Sequence, residues 1–141
     1  MGSWLPALLL AVTALCWGVS PILEKWALAE VSPFVGVTVR SLAIAVMVLV
    51  AVVVLGRTGQ LTHLPIRPLG LFALSGFLAG LLGMWTYLYA LKLEGASKVV
   101  PIAASYPLVT ALLSVSLVGE ELSLRRLLGT VLVVAGICLV R

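Results

Sequence analysis

Five apolar runs follow one another through a chain of 141 residues with only short polar breaks between them. Each is about as long as the ~20 residues a helix needs to cross the hydrocarbon layer of a bilayer. They fall at about 4–23, 33–55, 69–91, 96–118 and 123–140 and take up most of the sequence, so no separate soluble domain fits in the remainder. The fold this dictates is an all-α integral membrane domain of five transmembrane helices over residues 1–141. Composition agrees: 62% of residues are hydrophobic, 10% are charged and the mean hydropathy is +1.25, well beyond what a soluble core requires. Each run is apolar around most of its circumference, as suits a helix facing both lipid and protein, and its backbone polar groups must pair within the helix. Ala27-Leu28-Ala29 has the small-x-small form of a leader cleavage site. No Lys or Arg precedes the first run, however, and that run is as long as a full span, so it reads as a retained span.

Nine Lys and Arg against five Asp and Glu give a formal charge of +4, spread singly at the ends of the runs. That pattern suits anionic lipid headgroups and argues against a nucleic-acid partner. An odd number of spans puts the termini on opposite sides. Arg57, Arg67, Arg125 and Arg126 then lie on the amino-terminal side, and Lys25, Lys92, Lys98 and Arg141 on the other. With Arg40 inside a span, the usual basic excess on one side is absent, and the chain has no built-in preference for either orientation. Cys16 and Cys138 lie in apolar runs without companion ligands and read as packing residues. His63 is alone in the longest connection, Gly56 to Pro68, and reads as a surface residue. With no Ser/His/Asp set, phosphate-cradling loop or metal cluster, the sequence points to no enzyme, no cofactor and no metal.

Several residues stand out against the apolar background. Arg40 lies about two turns inside the second run, where a charge costs several kcal/mol unless it is paired, faces a wet cavity or snorkels to the interface. Glu24 is its nearest candidate partner. Glu24 and Lys25 form either a plain interfacial ion pair or, if the first helix runs deeper, a coupling or gating pair with Glu24 as the protonatable group. Glu94 sits in a connection, and Glu120 and Glu121 border the fifth run, where carboxylates near a helix amino terminus are favourable. Trp4 and Trp26 suit the interfacial aromatic belts, whereas Trp17, Trp85, Tyr87 and Tyr106 lie too far inside. The fourth run carries Pro101, Ser105, Tyr106, Pro107, Thr110 and Ser114. Its prolines free carbonyls that need partners or water, which makes it either a cavity wall or a kink with internal hydroxyl bonding. The candidate substrate-binding residues are therefore Trp17, Arg40, Trp85, Tyr87, Ser105, Tyr106 and Thr110. Gly76, Gly80 and Gly83 give the third run a flat face for helix packing within the bundle, and Gly129 and Gly136 suggest close packing or a dimer contact.

The stretch from Tyr87 to Lys98, Pro107, Gly119-Glu120, Leu128-Gly129 and Ala135-Gly136, with Cys16-Trp17-Gly18 and Arg40 before them, resembles the EamA repeat of the drug/metabolite transporter superfamily over essentially the whole chain. Most proteins of that pattern carry two such repeats in opposite orientations, ten helices around a central cavity. The resemblance implies a dimer, with the balanced basic residues fitting an antiparallel homodimer, that works by alternating access in the inner (plasma) membrane. It implies a small-molecule substrate, namely a metabolite, amino acid or amphipathic compound, moved outward. Resembling proteins that move lipid-linked sugars or polyprenyl phosphates give a rival reading as a flippase, with Arg40 facing the phosphate. A non-transporting scaffold or one half of a heteromeric pair is a second rival. In the more distant small multidrug resistance exporters a first-helix glutamate binds cation and proton. Trp17 stands at the corresponding position here and cannot titrate, which argues against proton-coupled export of cationic drugs.

Overall fold

The computed structural model describes residues 4–119, 121 and 123–139, apart from the side chains of Arg126 and Cys138. Glu120 and Arg141, both singled out above, lie outside these residues. The described elements are all helical, with no strand among them: α1 (Trp4–Ala27), α2 (Pro33–Val54), the short α3 (Thr58–Thr62), α4 (Ile66–Leu93), α5 (Ala96–Val118) and α6 (Leu124–Leu139). Helices α1, α2, α4 and α5 are long and apolar enough to cross a membrane. The described part of α6 has 16 residues, about 24 Å at 1.5 Å per residue. The chain divides into two compact units, one ending at Leu93 and one beginning at Glu94.

In the first unit the helix ends are set by local chemistry. Ser32 caps α2 by accepting a hydrogen bond from the Val35 amide at 3.4 Å, and Pro33 follows at a position where its missing N–H costs nothing. At the other end Gly56 adopts φ +64. The Arg57 amide bonds the Val52 carbonyl at 2.9 Å and the Gly56 amide bonds that of Val53 at 3.0 Å, a Schellman cap that only a residue tolerant of positive φ closes cheaply. Helix α1 runs past Leu23 to Ala27 and so takes in Glu24 and Lys25. Helix α4 starts at Ile66, because Pro65 and Pro68 fall where helical amides need no partner. The Gly56–Pro68 connection is therefore shorter than the sequence suggested and contains α3. Residues 76–83 of α4 are π-helical.

These three long helices pack at one end only. Pro21, Leu28, Pro33, Val37, Leu88 and Leu91 are buried, Leu91 completely. All belong to the carboxyl end of α1 and its following turn, the amino end of α2 or the carboxyl end of α4. Residues 4–12, 41–51 and 69–83 carry no buried or half-buried side chain. The glycine face of α4 lies in this open half. A Cβ added at Gly76 or Gly80 would meet nothing within 4 Å among the described residues, so the packing within the bundle expected of that motif is not made there.

In the second unit, α5 is interrupted at Ala104 and Ser105, immediately before Tyr106 and Pro107, because proline cannot donate to the carbonyl four residues back. Hydroxyls of the following turns bond backward along the helix: Thr110 to the Tyr106 carbonyl at 3.2 Å, Ser114 to Ala111 at 3.1 Å and Ser116 to Leu112 at 3.0 Å. Residues 114–118 are π-helical and end at Gly119, whose φ is +74. A Cβ at Gly129 or Gly136 of α6 would meet nothing within 4 Å among the described residues.

Candidate functional site

The packed end of the first unit holds a partly open cavity of about 420 Å³, within the size range of small-molecule sites. Its wall is apolar except at one place. Leu23, Leu28, Val31, Val35, Val39 and Leu88 supply the aliphatic surface, and Ser20, Glu24 and Arg40 supply the polar one. Arg40 Nε stands 3.6 Å from Glu24 Oε1, with the Glu24 side chain 14% and the Arg40 side chain 39% exposed. Ser20, one turn before Glu24 on α1, donates its hydroxyl to the same Oε1 at 3.0 Å. The pair exists because α1 extends far enough to carry Glu24 inward and because α2 comes close. At Gly36, one turn before Arg40, an added Cβ would lie 3.3 Å from Leu88 Cδ1 and 3.8 Å from Leu28 Cδ2. A larger residue there would hold α2 away from both neighbours.

The sequence candidates separate into those brought together and those not. Glu24 and Arg40 share the cavity wall, and the half-buried Tyr87 of α4 carries its phenol within electrostatic reach of both. Lys25 turns elsewhere: its ammonium donates to the carbonyls of Leu91 at 2.7 Å and Lys92 at 3.3 Å. Those carbonyls end α4, where a cation is favoured. Trp17 is 64% exposed and outside the cavity lining, although it shares the face of α1 that carries Ser20 and Glu24. Trp85 is also outside the lining. Its ring meets Phe34 edge-to-face with centroids 6.1 Å apart, a favourable aromatic geometry. Ser105, Tyr106 and Thr110 belong to the second unit, where Ser105 sits in the break of α5 and Tyr106 is exposed.

Sequence reasoning missed Ser20 and the aliphatic wall. The signal for Ser20 was present, since it lies four residues before Glu24 and i, i+4 side chains meet on a helix. The wall carried no such signal, because Leu28, Val35 and Val39 resemble every other aliphatic residue in the chain. Among the described residues no group of His, Cys, Asp and Glu could hold a metal ion.

Neither a curated protein nor a solved structure matches the chain. A family model does: that of the EamA-like transporter family matches residues 4–141. With an all-helical, multi-pass fold and a polar cluster facing a cavity inside its membrane-crossing helices, the chain belongs to the EamA-like transporter family.

Proposed function

We propose that the chain is a secondary transporter that moves a small metabolite, amino acid or amphipathic compound outward across the plasma membrane by alternating access. The reading is carried by the Glu24–Arg40 pair facing an apolar-walled cavity. A charge kept inside a membrane bundle marks a solute pathway more often than a structural need. Packing at one end and exposed side chains at the other suit one half of a machine whose two ends open in turn. The working unit proposed is an antiparallel pair of five-span repeats, with α6 as the fifth span. Exposed glycines in the open half and the even split of Lys and Arg support it.

Two measurements test this reading. The purified chain, reconstituted in vesicles, is expected to move at least one labelled amino acid or amphipathic solute down its gradient, with the movement lost in Arg40→Gln. No movement of any solute by correctly folded protein would sink the transporter reading and favour a scaffold. Reporters on the carboxyl terminus, active only inside or only outside the cell, are expected to give signal on both sides. Signal on one side alone would rule out the antiparallel pair.

A further inference from the structure

The two charges of the cavity neutralise each other loosely. The 3.6 Å between Arg40 Nε and Glu24 Oε1 exceeds the 2.7–2.9 Å typical of a charge-assisted hydrogen bond. The approach is through Nε, and with 39% of the Arg40 side chain exposed the guanidinium fork, which grips carboxylates in bidentate fashion, is open to a ligand. Around the guanidinium the wall is aliphatic. What fits is a small anionic head attached to an apolar body.

Resting on the transporter reading, we propose that the Arg40 fork binds the carboxylate of a small organic acid with an apolar tail, and that Glu24 is an internal competitor for Arg40 that yields when protonated. Charge balance supports the coupling. The empty site holds one positive and one negative charge. The loaded site holds Arg40, the substrate carboxylate and a neutral Glu24, and its net charge is again zero. An anion entering without a proton would leave an uncompensated charge within the membrane, which is strongly disfavoured. Glu24 is the group placed to take that proton. Ser20 bonds it from its own helix and Arg40 faces it from α2, and the titratable residue nearby on α4 is Tyr87. Lys25, its chain neighbour, is turned to the end of α4, and Lys92 to the Val31 carbonyl. A phosphate monoester, which carries about −1.5 to −2 at neutral pH, would not balance against one proton.

The test is calorimetric titration of the whole chain in lipid nanodiscs with 4-methylpentanoate, its neutral amide and a phosphate monoester of similar tail, with protein-free nanodiscs as blank. Carboxylate affinity is expected to rise about tenfold per unit as pH falls from about 8 to about 6, the slope of one coupled proton. Glu24→Gln should bind tightly with no slope. Arg40→Gln should lose binding, and Arg40→Lys should bind about tenfold more weakly with the slope kept. Elution as a single species by size exclusion shows that each variant is folded, and if Arg40→Gln is not, Arg40→Lys decides. A flat wild-type profile, a slope surviving in Glu24→Gln, equal binding of the amide, or tighter binding of the phosphate ester would each overturn the proposal. Transport intact without this pH-linked binding would sink the proposal alone, whereas binding without any transport would sink the transporter reading and leave the anion site standing.

Discussion

Lys92 donates its ammonium to the carbonyl of Val31 at 2.7 Å, fastening the end of α4 to the turn between α1 and α2. Lys25 makes the reverse connection from α1 to the carbonyls of Leu91 and Lys92. The two lysines thus brace the same end of the bundle from opposite sides. Because Val31 also belongs to the cavity wall, the brace holds one part of that wall in place.

Replacing Lys92 by Met should remove one charge-assisted hydrogen bond at an exposed position, a loss of about 1 kcal/mol. Thermal unfolding in detergent should show a lower midpoint for Lys92→Met and for Lys25→Met. Since both act on the same helix end, the double variant should deviate from additivity by about 0.5 kcal/mol or more. Strict additivity would show that the two lysines act independently.

Glu24 and Arg40 should depend on each other for stability. Removing one partner of a fully buried pair costs about 3–5 kcal/mol because the other charge is stranded. With the Arg40 side chain 39% exposed, solvent screening reduces this to about 1–2 kcal/mol. Glu24→Gln and Arg40→Gln should each lower the unfolding midpoint, and the double variant should regain most of the loss, because a Gln pair strands no charge. A double variant as unstable as the sum of the two would mean that the side chains contribute separately.

That the chain is all-helical and crosses a membrane was legible because apolar runs of span length have few other uses. The charges were legible as outliers, and Arg40 and Glu24 stood out against so apolar a background. Positions that depend on where a helix stops, or on what a neighbouring helix presents, were not legible. Glu24 enters the cavity wall only because α1 continues to Ala27. Trp17 and Trp85 are bulky and interior in sequence, yet neither lines the cavity, since an aromatic ring gives no indication of which way its helix face is turned. The π-helical course of Gly76–Gly83 was likewise hidden, as that stretch reads equally well as a regular helix.

Gly36 should tolerate Ala and reject anything larger. The Cβ of Ala would press on Leu88 Cδ1 at 3.3 Å, the movable end of a flexible side chain, while gaining up to about 1 kcal/mol of helix propensity. The net change should be within about 1 kcal/mol of zero. Gly36→Leu would fill the junction of α1, α2 and α4 beside the cavity and should lower stability by about 1–3 kcal/mol through overpacking. It should also abolish solute movement in vesicles. Full transport by Gly36→Leu would show that solute does not pass this junction.

The glycines of α4 should divide into two kinds. A Cβ at Gly83 would lie 3.0 Å from the backbone oxygen of Leu78, which cannot move aside as a side chain can. Gly83→Ala should therefore destabilise the chain by about 1–3 kcal/mol or return the π-helical turn to a regular one. At Gly76 and Gly80 an added Cβ would meet nothing within 4 Å among the described residues, so Leu at either position should leave the unfolding of the isolated chain nearly unchanged. If that face receives a second repeat, the same two substitutions should reduce chemical cross-linking between copies in the membrane, because small residues are what allow helices to approach closely there. Cross-linking that survives both substitutions would place the contact between repeats on another face.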